Sequence, residues 1–293
     1  MSLTKHGPAA RPSQLSQHGA ARVELRGRHG PIAALRTSQP GEAVALLVPG
    51  YTGSKEDFAP LLDGFAAEGF ETVAIDLPGQ YESPGPDAES AYLPAALGGV
   101  VTDVIEQLAS DGRPVLLLGH SYGGLVARGA VLAGAPVAGL TLLDSGPRHL
   151  SNGMRLQALQ LGEPLLRENG IAAAYALREE VSSRFPGWAE LPGELKNFFR
   201  TRFVSSSAIG LVGMAQGLRT EPDLVDELRK LKLPCAVVAG EHDDAWTVPD
   251  QEAMAKRLNA TFSLIGGAAH SPNTENPAGL LEALLPIWHS WLG

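Results

Sequence analysis

Six apolar runs recur along the chain, each closed by glycine, proline or an acidic residue. They are VALLVPG (44–50), ETVAIDLPG (71–79), PVLLLGHS (114–121), VAGLTLLDSGP (137–147), LPCAVVAGEHDD (233–244) and ATFSLIGGAAH (260–270). The apolar residues are continuous rather than alternating, as expected of strands buried on both faces. Ahead of them, RVELRGRHGPIAALR (22–36) reads as two short strands around the turn His29-Gly30-Pro31. The intervals carry apolar residues at helical spacing: 57–69, 90–110, 121–133, 251–259 and 277–292. Strand and helix in alternation predict an α/β fold, a mostly parallel sheet with helices on both faces.

One interval breaks the alternation. Residues 147–229 hold no strong strand run and four helical patterns, which predicts a helical cap inserted into an α/β core of 21–146 and 230–293. Residues 1–20 are polar and rich in Pro, Gly, Ser and Gln, and read as a loose tail with no apolar signal segment. At 293 residues with 44% hydrophobic content, the chain can bury a sizeable core. Its 34 glycines and 22 prolines imply many turns. A net charge of −9 argues against nucleic acid as a partner, since a phosphate backbone needs a basic face. The single cysteine, Cys235, excludes an internal disulfide framework and a cysteine zinc site. No apolar run is long enough to span a membrane. A cytoplasmic protein is the expectation, and its oligomeric state is not legible.

The strongest chemical signal is Gly119-His120-Ser121-Tyr122-Gly123-Gly124, between the strand PVLLL and the helical pattern LVARGAVLAG. A strand-to-helix turn this tight strains its central residue. It also needs small neighbours two positions either side, and so raises the Ser121 hydroxyl above the sheet edge. A serine hydroxyl needs a base, and the base needs an orienting acid. Of eight histidines, His270 stands where an open α/β sheet places its site, on a loop past a strand's C-terminal end. His120 adjoins Ser121 but points away from the elbow. Among acids, Asp243 follows CAVVAG and ranks first; Asp144, at the end of TLLDSGP, is the alternative, and Asp244 comes third. The run Glu241-His242-Asp243-Asp244 makes a poor metal site, because adjacent side chains on an extended stretch point to opposite sides. No metal and no cofactor are expected.

Acyl transfer also needs amide donors for the developing oxyanion. The Gly-rich loop Pro49–Gly53 is well placed, so the backbone N–H groups of Tyr51 and Tyr122 are the candidate pair. Reading GYTGSK as a phosphate loop fails on residue order and spacing. The aromatic residues Phe185, Trp188, Phe198, Phe199 and Phe203 crowd one part of the cap, and Trp246 follows Asp243 by three positions. Phe185, Trp188, Phe199 and Trp246 are candidates for a substrate pocket, with cap packing as the alternative for the cap aromatics.

Residues 22–293 resemble the α/β-hydrolase superfamily, on the elbow GHSYGG, the order Ser121…Asp243…His270, the loop PGYTG, the stretch DLPGQYESPG and GEHD before an acidic turn. The resemblance implies an eight-stranded, mostly parallel sheet, a helical cap after strand six, and hydrolysis through an acyl-enzyme. Three features depart from it: Pro-Gly replaces the frequent His-Gly in the oxyanion loop, GQYES replaces G-x-G-x-S, and Asp243 stands slightly farther than usual from Pro249. Serine at the elbow excludes the branches that use aspartate there. The expected function is hydrolysis of a small-to-medium, largely apolar carboxylic ester or thioester. Acyl transfer to another acceptor (peroxide included), carbon–carbon bond hydrolysis and a non-catalytic ligand-binding scaffold are the alternatives.

Overall fold

The computed structural model describes residues 11–151, 153–184 and 186–293. Its strands are β1 (Ala21–Leu25), β2 (Ile32–Arg36), β3 (Ala43–Val48), β4 (Phe70–Ile75), β5 (Val115–His120), β6 (Gly139–Leu143), β7 (Cys235–Gly240) and β8 (Thr261–Ile265). They form one eight-stranded sheet in the order β1-β2-β4-β3-β5-β6-β7-β8. β2 pairs antiparallel with β1 and β4, and every pair from β4 to β8 is parallel.

The strand residues divide by parity. Val44, Leu46 and Val48 join the core on one face of the sheet, and Ala43, Ala45 and Leu47 join the core on the other. The first face is covered by α2 (Pro94–Leu108), α3 (Tyr122–Leu132), α8 (Val225–Lys230) and α9 (Val248–Leu258). The second is covered by α1 (Leu62–Ala67) and α11 (Pro277–Leu292), through Phe65, Leu280, Leu284 and Trp288. Trp288 stacks on Phe65 at 4.7 Å between ring centres and donates its indole N–H to Thr141 Oγ1, so its burial leaves no polar atom unmet. A strand covered on both faces is apolar at most positions, and its few polar side chains, such as Thr141, find partners, which explains the nearly continuous runs. β8 departs from that expectation. It is the sheet edge, only Ile265 is buried, and Leu264 is 48% exposed. An edge strand loses neighbours on one side, which a run of apolar letters does not reveal.

Between β6 and β7 the chain leaves the sheet for α4 (Met154–Ser183), α5 (Pro186–Glu190), α6 (Gly193–Ser205) and α7 (Ala208–Thr220), then α8. α4 breaks at Gly170, whose φ of 81° no other residue adopts without strain. Leu166, Tyr175, Phe203, Leu211 and Val212 form a small core inside this helical insertion. Buried ion pairs tie it to the sheet domain: Arg202 to Asp57 and Arg128 to Glu221. Residues 11–20 lie along the surface, with Gln14 bonded to Asp57 and the Gly19 N–H to Asp63.

The order β4-β3-β5 places successive connections on opposite sides of β3. The crevice beyond the C-terminal ends of β3 and β5 is therefore the topological switch point, where an open α/β sheet binds ligands. The loop 49–53 and the turn carrying Ser121 both open into it.

Candidate active site

Ser121 stands between β5 and α3 with φ 55° and ψ −121°, a conformation rare for any residue with a side chain. Its N–H donates to Leu143 O at 2.8 Å, which fastens the turn to β6. The glycines around it are there for space. A Cβ on Gly119 would collide with the Gly123 carbonyl, and one on Gly123 with the Val48 carbonyl. Neighbouring backbones occupy the volume that side chains would need, so only glycine allows the crossing.

His270 follows β8 and precedes α10 (Pro272–Glu275). Its Nε2 lies 2.9 Å from Ser121 Oγ, and its Nδ1 lies 2.7 Å from Asp243 Oδ1. Both Ser121 and His270 are 7% exposed, nearly withdrawn from solvent. Asp243 sits in the turn after β7 with its side chain fully buried. Besides His270, it accepts the Ala245 N–H at 2.9 Å on Oδ1 and the Gln251 amide at 2.7 Å on Oδ2. Burial works to raise its pKa, but the bond to His270 and its charge, and then the Ala245 N–H, outweigh it and hold the carboxyl below its usual range. Asp144, with φ 43°, is fully buried beside it. Burial first, and the Asp243 charge second, push the Asp144 carboxyl well above its usual range. Oxygens of Asp144 and Asp243 and a nitrogen of His270 all lie within 4.8 Å of one another. A cation placed among them would have to break the Asp243–His270 bond, so the donor set suits proton handling better than metal binding. Asp244, the third acid considered, faces outward and pairs with Arg155.

The loop 49–53 approaches the elbow closely. A Cβ on Gly50 would lie 3.0 Å from the Ser121 Cβ. The loop is held from below by Gln80, which donates to Gly50 O at 2.8 Å and accepts from the Leu77 N–H at 3.1 Å. Among the described residues, the N–H groups of Tyr51 and Tyr122 have no acceptor within the chain. Tyr122 is the first residue of α3, where amides are free and the helix dipole favours negative charge. Lys55, downstream in the same loop, is buried against Asp76, Glu82 and Glu56. Its charge is met by those carboxylates, which leaves GYTGSK no free lysine for a phosphate.

The pocket candidates part company. Trp246 is buried with its ring 6.4 Å from that of His270, and its indole N–H donates to Arg148 O. Trp188 and Phe199 stack on one another at 6.5 Å, and Phe198 joins Phe199 to Tyr81. Among the described residues, the rings that meet His270 are those of His120 and Trp246, not this stack. Phe185 lies outside the described residues.

Two neighbours of the site carry no local sequence signal. Gln251 lies in the first turn of α9 and reaches back to Asp243. His120 turns beneath His270, with ring centres 5.2 Å apart, and donates from Nε2 to the His270 carbonyl at 2.7 Å. That bond fixes the tautomer and leaves Nδ1 buried without a partner. Burial, and secondarily the nearby His270, lower the His120 pKa from 6.5 to about 4. The folded ring therefore stays neutral while an unfolded one gains a proton between pH 6.5 and 4. The stability contributed by the neutral ring is full above pH 6.5 and is lost as pH falls through about 4, a difference of about 3 kcal/mol. A His120→Gln variant keeps a donor for the His270 carbonyl and is expected to flatten this slope. The readout is its melting temperature minus that of the parent from pH 7 to 4. The subtraction removes Asp76, which burial raises to about 6 and which titrates in the same window with the opposite sign. A difference independent of pH would contradict the assignment.

Comparison with known proteins finds a sequence relative and structures of similar fold. The chain is 27% identical over 262 residues to the 2-succinyl-6-hydroxy-2,4-cyclohexadiene-1-carboxylate synthase of Salmonella schwarzengrund, covering 85% of this chain and 95% of that protein. Its fold is like that of a thermophilic esterase from Thermogutta terrifontis solved with malate bound (24% identity, TM-score 0.74, 93% of this chain and 99% of the other). It is also like that of the enol-lactonase from Burkholderia xenovorans (18% identity, TM-score 0.76, 91% and 100%). The model of the alpha/beta hydrolase family matches residues 45–283, from β3 into α11 and through every residue of the site just described. The chain belongs to the alpha/beta hydrolase family.

Proposed function

We propose that the protein is a serine hydrolase that cleaves a small-to-medium, largely apolar carboxylic ester or thioester through an acyl-enzyme. The observation that carries this reading is the unbroken series Ser121 Oγ, His270 Nε2, His270 Nδ1, Asp243 Oδ1, at 2.9 and 2.7 Å, on a strained elbow. Ser121 Oγ attacks the carbonyl carbon while His270 Nε2 takes its proton. His270 then returns that proton to the leaving oxygen or sulfur. Asp243 holds the ring and stabilises its cationic form. The Tyr51 and Tyr122 amides receive the oxyanion. Water, deprotonated by His270, attacks the acyl carbon and releases the acid and Ser121. No cofactor takes part. Trp246, whose ring lies 6.4 Å from that of His270, borders the acyl site. The likeness to an esterase and a lactonase supports the fold's suitability for such substrates.

A second reading has its own support. The relative from Salmonella schwarzengrund is named as a synthase of a succinyl-bearing carboxylate. On that reading, the same Ser121, His270 and Asp243 act in forming such a carboxylate rather than in cleaving an ester.

A p-nitrophenyl ester series from acetate to decanoate, read against Ser121→Ala, tests the first reading. The expected result is turnover with a maximum at one chain length, and acylated Ser121 in the quenched mass spectrum. Labelling of Ser121 by a fluorophosphonate with ester turnover no higher than the Ser121→Ala background would move the assignment to the second reading, and no labelling either would move it to a non-catalytic ligand-binding scaffold.

A further inference from the structure

Asp144 is a buried acid that the mechanism above does not use. Its backbone N–H donates to Val238 O at 2.8 Å, and its Oδ1 accepts the Gly240 N–H at 2.8 Å. The residue thereby pins the end of β6 to the end of β7, immediately before the turn that carries Asp243. Its second oxygen, Oδ2, is buried and finds no donor among the described residues. An ionised carboxylate left that way, beside a second carboxylate, would be heavily penalised. The donors are divided very unequally. Asp243 receives three, from Ala245, Gln251 and His270, whereas Asp144 receives one. An oxygen of Asp144 lies within 4.8 Å of an oxygen of Asp243, and Asp144 Oδ2 has no other donor among the described residues.

We propose that Asp144 is held as a neutral carboxylic acid whose Oδ2–H donates to the Asp243 carboxylate, making it a positioning residue for the Asp243–His270 pair. Asp243 then has a fourth donor, keeps its charge and cannot swing away from His270 Nδ1. The buried site carries one negative charge opposite the imidazole instead of two. The groups facing Asp144 are Asp243 on the β7–α9 turn, His270 on the β8–α10 loop and Glu275 on α10; neither acid supplies a cation to ionise it. The burial of Asp144 and the charge on Asp243 act in the same direction. The role deepens the serine-hydrolase reading and rests on it, but the protonation state itself does not.

Infrared difference spectra of the parent against Asp144→Asn decide the protonation state without reference to activity. At pH 7 the parent is expected to show a carboxylic-acid C=O band that shifts in D2O and is missing from the variant. A parent without that band, or a band that survives in Asp144→Asn, overturns the proposal. Kinetics then decide the positioning role. Asp144→Leu removes the donor and is expected to lower kcat about 10- to 100-fold, and to move the acidic limb of kcat/KM to higher pH. Asp144→Asn restores an N–H donor, and is expected to recover most of the lost rate and the parent's acidic limb. Equal loss in both variants, or no loss in Asp144→Leu, would overturn that role. Should Asp144→Leu fail to fold, the infrared result and the Asp144→Asn profile still decide the question. Failure of the serine-hydrolase reading would show separately, as full activity in Ser121→Ala with the infrared band intact.

Discussion

Ser121→Ala is expected to reduce kcat on the best p-nitrophenyl ester by about 10⁶-fold, to the level given by binding and the oxyanion amides alone. The size follows from the position. Ser121 Oγ is the hydroxyl bonded to His270 Nε2, and removing it leaves the base nothing to deprotonate but water. The loss should come with little change in melting temperature. The turn is held by the Ser121 N–H bond to Leu143 O and by the backbone packing around Gly119 and Gly123, and alanine keeps all of these. Alanine also fits the positive φ no worse than serine does. Two measurements check the result together: kcat under saturating ester and the thermal midpoint. An intact fold with less than tenfold loss would remove Ser121 from the chemistry. A large loss with a collapsed midpoint would show only that the elbow is structural.

Much of this architecture was legible in the sequence, because it depends on local rules. The strand cores at 44–48, 73–75, 115–118 and 235–239 are apolar since β3, β4, β5 and β7 have helices over both faces. The helical pattern at 277–292 coincides with α11, since a proline starts it and its apolar stripe meets the sheet. The elbow could be read because close backbone crossings leave glycine no substitute. What the sequence concealed depends on contacts between distant segments. Nothing around residue 264 tells that β8 is an edge. The pairing of Arg202 with Asp57 joins residues 145 positions apart. His120 was expected to point away from the elbow. It does leave the Ser121 hydroxyl free, but its ring runs beneath His270, a loop 150 residues downstream. Asp144 and Asp243 could be ranked as acids by their places after β6 and β7. That they sit together as unequal partners follows only from the parallel register of those two strands.

Asp243→Asn is the substitution with the second largest expected effect, a loss of about 10⁴-fold in kcat. Each oxygen of Asp243 already accepts from a fixed donor: Oδ1 from Ala245 N–H and His270 Nδ1–H, Oδ2 from Gln251. An asparagine must put an NH2 group at one of these places. At the Oδ1 position it would oppose the Ala245 amide and face His270 Nδ1, forcing the proton onto Nε2, where it can no longer accept from Ser121. At the Oδ2 position it would oppose Gln251 unless that amide turned over, and the imidazolium would still lose its counter-charge. The neighbouring Asp144 carboxyl does not replace that charge, because its Oδ1 is bound to Gly240 N–H and no bond joins it to the His270 ring. The check is a pair of pH–rate profiles, Asp243→Asn and Asp144→Asn, on one ester. The expected order is a deep loss for the first and a shallow one for the second. If Asp243→Asn keeps full activity while Asp144→Asn loses it, the working acid stands at the end of β6 instead.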